Sequence, residues 1–228
     1  MKEFTVKPIA VIRTDFHEKF GIPRQSGRVK SLTAKIVFNP EYRNPDALRE
    51  IEGFSYLWLI FDFSLSHKEQ WSPTVRPPRL GGNKQVGVFA SRSPFRPNHI
   101  GLSSVKLLGV EKTENEGHVL IVSGADLLDQ TPILDIKPYI PSCDCHTDAL
   151  GGYASEFTDY KLKVEIKENV LDDYPPEKVK ALIDCLAEDP RPSYHEDGRV
   201  YGMKFAGANV KFTVSNGILT VIQAEKLI

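Results

Sequence analysis

Two arginines and an asparagine stand close together in the run Ser91-Arg92-Ser93-Pro94-Phe95-Arg96-Pro97-Asn98-His99-Ile100-Gly101-Leu102-Ser103. A guanidinium offers a planar fork of donors that matches phosphate or carboxylate, and an asparagine amide can both donate to and accept from an adenine edge. Pro94 and Pro97 stiffen the backbone that carries these groups. The bland alternative is a surface turn with solvated arginines. Charge segregation argues against it: the 41 residues from Gln70 to Val110 contain no Asp or Glu but six cations, Arg76, Arg79, Lys84, Arg92, Arg96 and Lys106, in a chain of formal net charge −1. The segment is built to hold an anion.

A second run, Leu127-Leu128-Asp129-Gln130-Thr131-Pro132, reads as a turn, and the alternating Leu134-Asp135-Ile136-Lys137-Pro138-Tyr139 after it places an acid and a base on one face of a strand. Gly21-Ile22-Pro23-Arg24-Gln25-Ser26-Gly27-Arg28 is a third polar loop. Cys143-Asp144-Cys145-His146 has no second Cys/His pair at zinc-ligand spacing, so no metal is expected. No Gly-x-Ser-x-Gly, Walker or Gly-x-Gly-x-x-Gly pattern is present, which weakens hydrolase, kinase and dinucleotide-dehydrogenase readings.

The elements that must position these residues are mostly strands. Apolar or β-branched segments occur at Phe4–Ile12, Leu32–Phe38, Phe54–Phe63, Val86–Ala90, Leu102–Val110, His118–Val122 and Ile133–Ile136, with one helical stretch from Asn44 to Ile51 between them. That content predicts a mainly β, barrel-like domain over residues 1–142 rather than a doubly wound fold. The polar, Gly-paired stretch 143–160 reads as a linker. A small α+β unit over 161–228 is expected beyond it, with a strand at Lys161–Lys167, a helix over Pro176–Ala187 and a hairpin of Val210–Val214 and Ile218–Ile222 joined through Asn216-Gly217. The long loops Phe20–Val29 and Ser64–Gln85 are where function is expected. No apolar run approaches the roughly 20 residues of a membrane span. With three cysteines, an odd number, and no signal-peptide pattern at its start, the chain reads as cytoplasmic.

Taken together, Pro23-Arg24-Gln25, Arg76-Pro77-Pro78, the Ser91–Ser103 run and Asp135-Ile136-Lys137-Pro138-Tyr139 resemble the TrmO/TsaA-like (YaeB-like) family of S-adenosylmethionine-dependent tRNA methyltransferases. Asp189-Pro190-Arg191-Pro192-Ser193-Tyr194 resembles that family's C-terminal signature. The resemblance implies a β-barrel methyltransferase that acts as a homodimer on N6 of threonylcarbamoyladenosine beside the tRNA anticodon. It also implies a donor site made of Pro23, Arg24, Gln25, Ser64, Leu65, Arg92, Leu102, Asp129, Gln130, Thr131 and Pro132. The chain departs from the family pattern at Ser64, where many members carry His, and at Gln130, where many carry Gly.

The methyl donor supplies its own electrophile, so the protein has mainly to align an amine, and the missing catalytic triad is accounted for. Asn98 and Asp135 are the candidates for holding that amine. Arg76, Arg79, Arg96, Lys137, Tyr139 and Arg191 are the candidates for contacting an anticodon loop, whose phosphates and splayed bases are met by cations and aromatic rings such as Phe95 and Trp71. The rival readings are a methyltransferase of a small anionic metabolite and a non-catalytic RNA-binding barrel.

Overall fold

Six strands pair cyclically into a closed barrel in the order β1-β2-β7-β6-β3-β8: β1 (Ala10–Arg13), β2 (Thr33–Phe38), β3 (Tyr56–Asp62), β6 (Ile100–Thr113), β7 (Gly117–Ser123) and β8 (Thr131–Pro138). This is the arrangement in the computed structural model, which describes residues 2–77, 80, 84–157, 160–192 and 197–227. Alternation along the strands dictates what faces inward. In β3, Leu57, Leu59 and Phe61 are buried, and Val105 and Leu107 of β6, Ile36 of β2, Leu120 of β7 and Ile133 of β8 meet them in one core. A side chain on Gly101 would collide with the Phe61 ring, its cross-strand neighbour, so the ring needs glycine there. The β3–β8 register shifts between Ile60 and Phe61. A bulge of this kind re-aims the chain at a barrel rim, and here it lies just before β3 runs into the Phe63–Ser66 loop.

A two-stranded ribbon, β4 (Thr74–Val75) with β5 (Val86–Gly87), forms an arm between β3 and β6. After β8 come the short helix α1 (Pro141–Asp144), a 3-10 segment at Gly152–Phe157, strand β9 (Lys163–Ile166), helix α2 (Pro176–Ala187), and strands β10 (Val200–Phe205), β11 (Ala208–Ser215) and β12 (Ile218–Lys226). The second sheet runs β10-β11-β12-β9, with β9 parallel to β12. Its two hairpins turn on Ala206-Gly207 and Asn216-Gly217, all four residues at positive φ, as a two-residue turn matched to strand twist requires.

The sheet of the second unit does not close its core alone. Phe16, Val29 and Leu32, from the β1–β2 connection, are buried with Leu182 and Leu186 of α2 and with Met203, Phe205, Phe212 and Leu219 of the sheet; Phe20 and Ile22 pack against the same cluster. Polar ties follow the same seam: Arg28 to Glu188, Ser31 to Asp184 and Lys178 to Asp15. A boundary at residue 142 therefore separates the strands but not the cores.

Several sequence expectations shift. The first strand shrinks to Ala10–Arg13, because Pro8 has no N–H to extend the ladder, and Phe4 is left 87% exposed. The segment Val86–Ala90 pairs for only two residues and then turns as a 3-10 segment at Val88–Ala90. The Asn44–Ile51 helix is broken into 3-10 turns at Pro45–Leu48 and Ile51–Gly53 by Glu50 at φ 66°, although Asn44 does cap the first by accepting from the Asp46 N–H. Within the expected linker, Asp144 of α1 is tied back to the barrel by the indole N–H of Trp58 at 3.0 Å. Strand β10 was unanticipated; its Tyr201, Met203 and Phe205 alternate inward.

Candidate functional site

Most of the residues expected at a donor site come from the connections at one end of the barrel, and several meet. The β1–β2 connection carries Pro23, Arg24 and Gln25, and the strand-to-strand turn before β6 carries Arg92. The Arg92 guanidinium donates to Gln25 Oε1 at 2.5 Å, joining residues 67 apart in the chain. Gln25 Nε2 donates to the Arg24 carbonyl at 2.6 Å, and Arg24 itself reaches the Arg191 carbonyl at 3.0 Å. The amide and guanidinium thus present a preformed polar corner whose orientation is set from both sides.

The turn at Asp129–Pro132 is fastened to the start of the same connection. Asp129 Oδ1 accepts from the Thr14 N–H at 2.9 Å, and the Asp129 and Gln130 N–H groups donate to the Phe16 and Ile12 carbonyls, each at 2.8 Å. Asp129 Oδ2 lies 3.4 Å from His17 Nδ1. Gln130 sits at φ 62°, in the left-handed region that favours glycine, which gives a backbone reason for the glycine that many family members carry there. Thr131 lines a cavity of about 150 Å³ together with Ser64, Leu65, Lys19, Phe63 and Asp126, so the loop after β3 and the Asp129–Pro132 turn share one hollow. Lys19 spans it, donating to the Leu65 carbonyl at 2.7 Å and to Ser66 Oγ at 2.9 Å.

Leu102 stands elsewhere. It lies on the outer face of β6, 54% exposed, in a cross-strand row with Ile60 and Asp135. Ile100 and Leu108 are exposed on the same face. Asp135 pairs with Lys137 at 2.9 Å and accepts from the Ile136 N–H, so the two alternating charges of β8 neutralise one another in this state. Asn98 is exposed at the turn into β6, where its carbonyl accepts from the Ile100 N–H. The two candidates for holding an amine are thus not brought into contact.

The arm and the following turn carry the cations. Arg76 and Lys84 are exposed, Lys68 sits over the Phe95 ring at 4.2 Å, and Trp71 and Phe89 present a pair of exposed rings 6.3 Å apart. Arg96 is turned inward onto the Ser91 carbonyl at 3.0 Å and braces the turn. Tyr139 packs against Trp58 on the outer face. Arg191 differs from its expected surface role: its side chain is 11% exposed and paired with Asp189 and Asp197, so its guanidinium is committed to holding that corner. Arg79, Ser193 and Tyr194 lie outside the described residues. Among the described residues no group of three or more His, Cys, Asp or Glu side chains could hold a metal ion, and no helix is long and apolar enough to cross a membrane.

Two features of the site escaped the sequence reading. Asp62 and His67 form a pair at 2.7 Å, with the His99 ring stacked on His67 at 4.4 Å, at the rim of the cavity. Asp126 lines the same cavity, half-buried, with Ser103 Oγ donating to its Oδ1 at 2.6 Å. Burial pushes this carboxyl above its ordinary range, although bonds from Ser103, its own N–H and the Ser26 N–H, and the charge of Arg92, work the other way. The signal available for Asp126 was an isolated acid inside the apolar run from Val119 to Leu128.

A closed antiparallel barrel whose end loops gather an Arg–Gln corner, a small cavity and an acid-free, aromatic-bearing arm defines a ligand-binding barrel outside the Rossmann class. Residues 11–145 match the tRNA-methyltransferase O N-terminal domain and residues 159–227 match the TrmO C-terminal domain. The chain belongs to the TrmO family. It is 38% identical to the tRNA (adenine(37)-N6)-methyltransferase of Escherichia coli K12 across 99% of both chains. It is also 40% identical, over 88% of each chain, to a Pseudomonas aeruginosa protein described as a putative S-adenosylmethionine-dependent methyltransferase, RcsF. A crystal structure of TrmO from P. aeruginosa superposes with a TM-score of 0.81 at 32% identity, covering 99% of this chain and 98% of that one.

Proposed function

We propose that this protein transfers a methyl group from S-adenosylmethionine to N6 of adenosine 37 of tRNA, with threonylcarbamoyladenosine as the form of the base it accepts. The single observation that carries the reading is the convergence of Gln25, Arg92, Ser64, Leu65 and the Asp129–Pro132 turn at the barrel end from which the acid-free arm projects. The residues suit the donor, which carries both signs of charge and a flat base: Arg24 and Arg92 are there for a carboxylate, Asp129 for an ammonium, and the cavity's Phe63, Leu65 and Pro94 for apolar surface.

When bound, the donor supplies an activated methyl on a sulfonium centre. The chain's own residues do the rest. An adenine N6 is a poor nucleophile because its lone pair is delocalised into the ring, so its alignment matters more than a strong base. Asn98, at the proline-braced turn, offers an amide to the base edge, and Asp135 offers a carboxylate to the amine proton once an incoming ligand displaces Lys137. Arg76 and Lys137 contact phosphates or the threonylcarbamoyl carboxylate, while Arg96 braces the turn that carries Asn98. Trp71, Phe95 and Tyr139 supply rings for stacking. Arg191 is left out of this surface because its donors are engaged.

The family resemblance also implies a homodimer, and the outer face of β6, where Ile100, Leu102 and Leu108 are exposed around Lys106, is the face on which a second copy would sit, bringing Leu102 to the donor. The protein works in the cytoplasm, where its substrate RNA is. Incubating the full chain with methyl-labelled donor and tRNA, with and without prior threonylcarbamoylation, tests the reading. Label should enter N6 of adenosine 37 only in the threonylcarbamoylated RNA. Incorporation into both RNAs would remove the threonylcarbamoyl requirement, and incorporation into neither would remove the activity.

A further inference from the structure

We propose that Asp126 is the positioning residue of the donor site, its half-buried carboxylate holding in one arrangement three separate segments that carry donor-binding side chains. The inference rests on the donor site described above. Ser103, which orients the carboxylate at 2.6 Å, is the neighbour of Leu102 in β6. Ser26, whose backbone N–H donates to the carboxylate, follows Gln25 directly. Arg92, the residue that grips Gln25, is near enough for its charge to act on Asp126. The fourth segment, Ser64–Leu65, faces Asp126 across the cavity that both line, with Lys19 and Asp62 as the other charged groups there.

The backbone around Asp126 reinforces the arrangement. The Gly27 N–H donates to the Gly124 carbonyl at 2.8 Å, and the Gly124 N–H donates to the Leu32 carbonyl at 2.9 Å, so the connection that carries Gln25 is stitched at two points to the strand end that carries Asp126. With position already secured by the backbone, the carboxylate is not needed to close the fold. An acid partly withdrawn from water carries a desolvation cost even when hydrogen-bonded. What it adds is direction: a negative charge behind Gln25 and Arg92 keeps the guanidinium turned toward the corner in which the donor is held.

The test uses the full-length protein and S-adenosylhomocysteine as probe. Asp126→Asn keeps shape and one acceptor but removes the charge. By calorimetry, the dissociation constant should rise about tenfold, the size expected for loss of one charge-assisted hydrogen bond. In turnover the donor KM should rise with it while kcat changes little. Arg92→Gln should weaken probe binding in the native background yet have little further effect beside Asp126→Asn, a coupling that a purely structural acid would not produce. Ser103→Ala, which leaves the acid in place but unoriented, should reproduce part of the loss and serves if Asp126→Asn does not fold. Native affinity in Asp126→Asn or Ser103→Ala, or additivity of the Arg92 and Asp126 effects, overturns the inference alone. Failure of the native protein to take up the probe overturns the donor-site reading and this inference with it.

Discussion

Replacing Glu188 by alanine tests whether the second unit holds the donor loop in place. Glu188 has only 6% of its side chain exposed and grips Arg28, 21% exposed, through both oxygens, with Lys161 3.6 Å away. Arg28 lies three residues beyond Gln25 on the same connection. Removing one partner of a mostly buried ion pair costs about 3 kcal/mol, at the lower end of the usual range because Arg28 keeps some solvent. For a chain of this size that lowers the melting temperature by roughly 6–12 °C. Thermal melts with and without S-adenosylhomocysteine, followed by calorimetry below the transition, measure both effects. The stability loss should come with several-fold weaker probe binding, because the loop that carries Arg24 and Gln25 loses an anchor. Cutting the chain after Ser142 should take this further and abolish probe binding, since Phe16, Val29 and Leu32 would lose the partners that bury them. A truncated protein that binds the probe normally, or Glu188→Ala with unchanged stability and affinity, would refute the idea that the two cores act as one.

Asp126 makes a pH prediction. Its carboxyl is raised in the folded protein, so the folded state holds a proton that the unfolded state releases, and the stability this proton contributes is lost as pH rises through the folded value. Relative to Asp126→Asn, the native protein should therefore lose stability from about pH 4 upward, and a difference that stays flat between pH 4 and 8 would contradict the assignment. Gln130→Gly relieves a left-handed residue and, after the added entropy of the unfolded chain, should stabilise by about 0.5–1 kcal/mol, read as a higher urea midpoint. If about four cations meet RNA phosphates, log affinity for an anticodon stem-loop should fall with log salt at a slope near −3, and Arg76→Ala should reduce that slope by about 0.7. Asn98→Ala and Asp135→Ala should each lower kcat about a hundredfold while leaving S-adenosylhomocysteine affinity intact; a variant with full turnover removes that residue from the site.

Where local pattern decides structure, the sequence was legible. The alternation of Leu57, Leu59 and Phe61 marks β3, the spacing of Val179, Leu182, Ile183 and Leu186 marks α2 over Pro176–Ala187, and Asn216-Gly217 marks the last hairpin. What was not legible depends on partners distant in the chain. Phe16 and Val29 read as loop residues and Leu32 as the start of a strand, and nothing local says that they complete the core of a unit more than a hundred residues later. The cavity-lining position of Asp126, bonded to Ser103 of β6, is likewise a property of the closed sheet. The motifs brought Gln25 and Arg92 to notice separately, but only the fold joins them. Arg191 shows the converse: a cation beside prolines looks free in sequence, while Asp189 and Asp197 take up its donors in space.

The segregation of charge becomes intelligible through this topology. Acids at this end of the barrel are held close: Asp126 accepts from Ser103, Asp129 is fastened to Thr14, and Asp62 is paired with His67. The arm's Arg76 and Lys84 are instead exposed, on a ribbon whose strands pair at two positions among the described residues. Screening over roughly 10 Å at ordinary salt makes exposed charges such as Arg76 and Lys84 count more, for an approaching polyanion, than carboxylates already tied to partners. The paired acids act only at contact range. One chain with a net charge near zero can in this way attract an anion over distance and orient a cation at contact, because the closed sheet fixes which charges face outward and which face the cavity.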